Sequence, residues 1–228
     1  MRVGRHVLVP AAMPEGAAEA LAPLAWLVDH AREGIALTQT GNLNRALCRE
    51  AAEKFSWWRY RLPPRGELDL PVLSEMRDIA TEIRAVRRSG RRLVITKKGA
   101  ALLADHDALW RETARSILAP RDFFAAVAEL SLCVMVDAED PPSERRVVAE
   151  ITPMLAEGGW RSVDGSAPDE ESVRRALRGA LRRLDLLGMH TREGPWQDPL
   201  VLLTPAGRAT ALEALRLRAG GPRKDMVG

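Results

Sequence analysis

Apolar positions along the chain fall into one order of elements that is traversed twice. In "LAPLAWLVDHARE", Leu21, Leu24, Trp26, Leu27 and Val28 lie largely on one side of a helix, which Gly34 stops. "IALT" reads as a short strand. Gly41-Asn42 opens a second helix over 43–55, with Leu43, Ala46, Leu47, Cys48 and Ala51 inward. "SWWRYRLPPRGELDLP", Ser56 to Pro71, carries three Pro and one Gly without helical period, so it reads as a loop. Ser74 is placed to cap a third helix with a stripe of Met76, Ile79, Ala80 and Ile83. "AVRRSGRRLVIT" is two β-compatible runs around Ser89-Gly90, which predicts a hairpin of Arg87–Arg88 against Arg91–Val94. The alternative is a third helix that runs on to Arg88 with Gly90 as its stop. Thr96 caps a fourth helix, which Asp105–Asp107 interrupts before Trp110–Leu118.

The second half repeats this. "RDFFAAVAELSLCVMV" is an apolar helix and "DAEDPPSE" a loop. "SERRVVAEITPMLAEGG" is a second helix that Pro153 bends. The third puts Val173, Leu177, Ala180, Leu181, Leu184 and Leu187 inward and stops at Gly188. Met189–Arg192 and Leu200–Leu203 form the second hairpin, and Thr204 caps the closing helix. Each hairpin therefore ends in Thr-x-x-Gly before a helix, at Thr96 and at Thr204, with a third copy at Thr38–Gly41. Thr suits a strand end and its hydroxyl accepts from the first orphan amides of a helix. Gly in the first turn lets that turn lie close to a strand.

This order resembles the winged helix. "LVITKKGAALLA" and "VLLTPAGRATAL" resemble the last wing strand and following helix of MarR-like and PadR-like regulators. Leu37–Leu43 (Leu-Thr-x-Thr-Gly-Asn-Leu) and Leu102–Trp110 (Leu-x-x-Asp-x-x-x-Leu-Trp) are similar to motifs of a group of actinobacterial proteins. The resemblance implies an α+β, mostly α fold of two tandem winged-helix domains with short β-hairpin wings. Their expected bounds are 21–119 and 120–219, with tails at 1–20 and 220–228. It implies DNA binding and a regulator's role, and no particular activity beyond that.

Composition narrows the classes. Apolar residues make up 46% of the 228 and charged residues 29%, enough for real cores and too apolar for a long disordered chain. Net charge is +3, but residues 1–119 hold 19 basic against 14 acidic residues, and 120–228 hold 15 against 17. An anionic partner should therefore prefer the first half. Cys48 and Cys133 sit far apart in apolar helical patterns and read as buried reduced thiols, which suits a cytoplasmic protein. The apolar run near the N-terminus is broken by Pro10, too short for a signal core, and no stretch is long enough for a membrane helix.

Chemistry-bearing candidates are few. "RAVRRSGRRLVITKK" holds Arg84, Arg87, Arg88, Arg91, Arg92, Lys97 and Lys98 and no acid. On a wing these would straddle phosphates, while Ser74, Arg77, Asp78 and Thr81 of the preceding helix would face base edges. Arg174, Arg175, Arg178 and Arg182 fall within about 100° on one helix face. Acids at 169–171 crowd that helix start, so a solvated face is the favoured reading there. "WWRYR", Trp57–Arg61, fits base stacking, a protein hot spot, or packing over its own core, the last being the commonest outcome. The four His have no ligand spacing, and no nucleophile set, phosphate-cradling glycine loop or metal motif appears. The expectations are a non-enzyme without cofactor, with duplex DNA as partner through the first half. The alternative is a protein-interaction module, with another protein or a second copy as partner.

Overall fold

The computed structural model describes residues 12–118 and 122–220. The described chain is α+β and mostly helical, with two small antiparallel sheets. It divides into two compact units, Ala17–Thr113 and a second that holds residues 12–16 and those from Ala114 on. The boundary expected at 119/120 and the tails 1–11 and 221–228 lie outside the described residues.

The N-terminal unit runs α1 (Ala17–His30), β1 (Ile35–Ala36), α2 (Arg45–Lys54), a 3-10 turn (Glu67–Asp69), α3 (Pro71–Glu82), β2 (Val86–Ser89), β3 (Arg92–Ile95) and α4 (Lys97–Ala104). α5 (His106–Ile117) carries the chain over the unit's boundary. The strand order is β1-β3-β2, all antiparallel. α1 packs on α3 and α4, and Leu24, Leu27, Leu73, Met76, Ile79, Val86 and Leu93 fill the interior. α1 starts inside the stretch expected to be a tail.

Several local expectations need correction. α2 begins at Arg45, because Asn44 supplies the cap: its Oδ1 accepts from Leu47 N at 3.0 Å. Ala46 consequently faces solvent. Thr38–Gly41 is no strand-to-helix junction. Thr38 N donates to the Asn42 carbonyl and Gly41 N to that of Thr38, closing a turn that bridges Leu37 to Leu43. Ser74 does not cap α3, which already starts at Pro71. Proline suits the first helical position because the N–H it lacks would have no partner there. α3 ends at Glu82, so the hairpin reading holds and the continuous helix does not. Arg87 opposes Val94 and Arg88 opposes Leu93, but the two-residue turn is Gly90-Arg91, one residue later than expected. Gly90, at φ +59°, occupies the first central position, where a positive φ matches the strand twist.

The C-terminal unit runs α6 (Phe123–Asp137), α7 (Glu144–Glu157), α8 (Glu170–Leu186), β4 (His190–Glu193), β5 (Leu200–Leu203) and α9 (Pro205–Ala219). α6 packs on α7, α8 and α9. α7 continues through Pro153. β4 pairs with β5 as expected, beginning at His190 rather than Met189, and Ser143 adds an isolated bridge to Leu200.

The Thr-x-x-Gly units do the same work in both units. Thr96 Oγ1 accepts from Gly99 N at 2.9 Å, and Thr204 Oγ1 from Gly207 N at 3.1 Å. A Cβ on Gly99 would sit 2.0 Å from the Ala85 carbonyl oxygen, and one on Gly207 would sit 1.8 Å from that of Met189. The helix start therefore lies against backbone in each case, and only glycine fits.

Candidate nucleic-acid interface

The hairpin of the N-terminal unit distributes its cations by strand parity. Directly opposed residues share a face. Arg88 thus stands on the face of Val86, Leu93 and Ile35, and Arg87 and Arg92 stand on the other, with Ser89 and Val94. Arg84, Arg87, Arg88, Arg91, Arg92, Lys97 and Lys98 are all exposed. Arg92 is tied down: its guanidinium donates to the carbonyls of Glu33 and Gly34 at 2.9 Å. Arg88 donates to the Gly90 carbonyl at 3.0 Å, and Lys98 pairs with Glu112 at 2.5 Å. Arg84, Arg87, Arg91 and Lys97 pair with no acid among the described residues. Four cations of one short segment are therefore uncompensated.

The third helix delivers less than expected. Ser74 and Thr81 lie on its outer side, Thr81 exposed and Ser74 half-buried. Thr81 Oγ1 donates to the Arg77 carbonyl at 2.8 Å. Arg77 turns inward. Its Nη1 donates to Glu67 Oε2 at 2.8 Å and to the Gly41 carbonyl at 3.3 Å. Glu67 is only 1% exposed, and its Oε2 also accepts from Leu43 N at 2.7 Å. Its Oε1 is buried without a partner. Burial pushes its carboxyl above the usual range, against the opposing pull of the Leu43 amide and Arg77. This buried pair fastens the Leu37–Leu43 turn to α3, and Arg77 is spent on it. The outer side of α3 also carries Glu75, Asp78 and Glu82, which phosphates avoid.

Three of the four arginines expected on this face of α8 lie near acids, while Arg182 is exposed and pairs with no acid among the described residues. Arg178 Nη2 lies 2.8 Å from Glu144 Oε1, and Arg174 Nη1 lies 2.9 Å from Glu171. Arg175 has a loose 3.9 Å contact with Glu171. The pairing with Glu144, itself buried, holds the Arg178 guanidinium above its ordinary range.

The aromatic loop splits in two. Trp57 stacks on Phe55 with centroids 4.8 Å apart, and Phe55 meets Trp26 edge-on, so this half packs over the unit's own core. Trp58 and Tyr60 instead meet each other, with centroids 4.9 Å apart. Trp58 lines a cavity of about 350 Å³ with Arg49, Ala52, Glu53, Pro63 and Pro64. Tyr60 is 75% exposed and Leu62 72%. Arg45 and Arg49 of α2 belong to this surface and were not singled out in the sequence; their four-residue spacing on a polar face was the available signal.

Both cysteines are buried, and burial pushes each thiol up to about 11, so neither is a reactive thiolate at neutral pH. No cluster of three metal-ligating side chains occurs among the described residues, and no helix of them is long and apolar enough to cross a membrane. No family model matches the chain, and no curated protein or solved structure shows significant similarity to it.

Proposed function

We propose that both units are winged helices and that the N-terminal one binds duplex DNA through its hairpin. The order helix, strand, helix, helix, two-stranded hairpin, closing helix supports the fold reading. It holds for α1 to α4, and again for α6 to α9 with the Ser143 bridge in place of the first strand. The observation that carries the DNA reading is the set Arg84, Arg87, Arg91 and Lys97, exposed and without acid partners. Four such cations attract a polyphosphate backbone in a salt-dependent, sequence-independent way. The carboxylates on α3 and the capture of Arg77 leave Ser74 and Thr81 as its base-facing groups, so affinity exceeds sequence selectivity. A regulatory role rests on the MarR-like and PadR-like resemblance.

A salt titration of binding to random duplex tests this. Each lost phosphate contact removes about 0.9 from the slope of log K against log salt. Replacing Arg84, Arg87, Arg91 and Lys97 by Ala should flatten the slope by about 3.6 and leave the fold intact, since none of the four side chains holds another part of the chain. A parent without binding at low salt sinks the reading.

For the C-terminal unit a protein partner fits better. Trp196 is 80% exposed beside a cavity of about 370 Å³ whose Arg174 and Arg178 are already paired.

A further inference from the structure

The hairpin and the aromatic loop meet at one turn. A Cβ on Gly41 would lie 3.4 Å from Arg88 Nη1, so the hairpin's arginine passes directly over the Leu37–Leu43 turn. On the other side of that turn, Glu67 takes the Leu43 amide and Arg77 reaches the Gly41 carbonyl. Arg45, just after the turn, donates from Nε to the carbonyl of Arg65 in the loop at 3.2 Å. Arg88 on the turn and Arg45 just after it thus mark a path from the hairpin to the loop, which Asp69 joins by accepting from Arg65 N at 2.7 Å.

The loop keeps that sign. From Lys54 to Gly66 there are four basic residues, Lys54, Arg59, Arg61 and Arg65, and no acid. Its centre is aromatic. The Trp58 indole N–H donates to the Leu62 carbonyl, which fixes the ring, and Tyr60 meets it edge-on with centroids 4.9 Å apart. Beside the indole lies the cavity of about 350 Å³, walled by Ala52, Pro63 and Pro64 and flanked by Arg49 and Glu53. That space exceeds what one planar heterocycle fills. The apolar walls suit its faces, and Arg49 and Glu53 offer a donor and an acceptor to its edge. A base within a duplex has both faces covered, so a base in this cavity must have left the stack.

We infer that the Trp58–Tyr60 loop receives an unstacked base, so that the preferred ligand of the N-terminal unit is a duplex continued by a single-stranded overhang. The inference rests on the duplex reading above and deepens it. The hairpin holds phosphates of the paired segment, and Arg59, Arg61 and Arg65 follow the backbone of the strand that runs on. An acidic peptide is the other occupant that a basic aromatic surface admits. The path from the hairpin and a cavity walled by Trp58, Ala52, Pro63 and Pro64 favour the nucleic acid.

Three labelled probes decide it with the full chain: a random blunt duplex, the same duplex with an oligothymidine overhang of about eight nucleotides, and the oligothymidine alone. The overhang probe should bind about tenfold tighter than the blunt one, the step expected from stacking a base on an aromatic ring. Trp58→Ala and Tyr60→Ala should each erase that preference and leave blunt-duplex affinity unchanged. Trp58→Phe, which keeps a stacking face, should retain most of it. Tyr60→Ala touches an exposed ring and should unfold at the parent's temperature, so it reports on binding even where Trp58→Ala loosens the loop. Equal binding of blunt and overhang probes by the parent overturns the inference and leaves the duplex reading standing. A preference that survives in Tyr60→Ala and Trp58→Ala overturns the assignment to this loop. Binding of no probe overturns both readings and hands the loop to an acidic peptide.

Discussion

The two units end their second and third helices with the same hydrogen bonds and different residues. After α2, Ser56 N donates to the Glu53 carbonyl and Trp57 N to that of Ala52; after α7, Gly159 and Trp160 do the same to Ala156 and Leu155. After α3, Arg84 and Ala85 bond back to Thr81 and Ala80; after α8, Gly188 and Met189 bond back to Asp185 and Leu184. In all four cases the turning residue is left-handed: φ is 54° at Ser56, 59° at Arg84, 84° at Gly159 and 66° at Gly188. The C-terminal unit uses glycine, for which this conformation is free of strain. The N-terminal unit accepts a cost of about 1–2 kcal/mol at each of Ser56 and Arg84. Both strained residues stand at the edges of the proposed surface, Ser56 where the aromatic loop begins and Arg84 at the base of the basic hairpin. Strain of this kind collects where a side chain or a backbone direction is worth more than stability.

Charge separates the units in the same sense. Glu144, Glu170 and Glu171 surround Arg174 and Arg178 in the C-terminal unit. In the N-terminal unit the buried acid, Glu67, faces inward to Arg77 and leaves the hairpin uncompensated.

If the junctions of the two units are equivalent, the largest effects should be equal. Gly99→Ala and Gly207→Ala each drive a methyl into a carbonyl oxygen, and urea titration should show a loss of about 3 kcal/mol or more in both. A Gly99→Ala protein as stable as the parent would show that the close approach is dispensable in one unit. Next comes the inner ion pair. Glu67→Ala strands Arg77 and unfastens the Leu37–Leu43 turn, with an expected cost of about 3 kcal/mol by thermal or chemical unfolding, the low end for breaking a buried pair because Arg77 is partly exposed. Thr96→Ala and Thr204→Ala should each cost about 1 kcal/mol through the lost cap. The smallest effect divides the units. Arg84→Gly relieves the left-handed strain against a more flexible unfolded chain, for a net gain of about 0.5 kcal/mol, while flattening the salt slope by about 0.9. Gly188→Ala, its counterpart, should destabilise by about 1 kcal/mol. Loss of stability in Arg84→Gly would mean that the arginine side chain supports the fold.

What was legible in the sequence was local. Thr96 and Thr204 cap helices through their own hydroxyls three residues on, and both hairpins could be read from neighbours alone, though each register lies one residue off the expected turn or strand start. The third Thr-x-x-Gly copy had the same letters and a different job, because Asn44 competes as a cap and wins by adjacency to α2. Ser74 looked like a cap because a serine precedes the apolar stripe, but Pro71 three residues earlier already starts the helix. Arg77 looked like a base reader because it is polar on an amphipathic helix; its partner Glu67 lies across a loop, and only the folded chain brings them together. The division of Trp57 from Trp58 was invisible for the same reason, since their partners, Phe55 for one and Tyr60 for the other, are set by the folded loop.

The Ala85 carbonyl carries one more consequence. It accepts from Thr96 N at 3.0 Å, the Thr96 hydroxyl donates to the adjoining Arg84 carbonyl at 2.7 Å, and the start of α4 lies against the Ala85 oxygen. Both ends of the hairpin are thus clasped at the Arg84 and Ala85 carbonyls at its base, while its tip is the Gly90-Arg91 turn, tied to the neighbouring strand where Leu37 N donates to the Arg91 carbonyl at 2.8 Å. Amide protons report such a gradient in time. Those at the tip exchange with solvent through small local openings, and the Thr96 amide exchanges only when the whole unit opens. The hairpin backbone then offers its cations from a stiff base, and under the proposed reading a phosphate backbone would meet strands whose ordering was completed during folding.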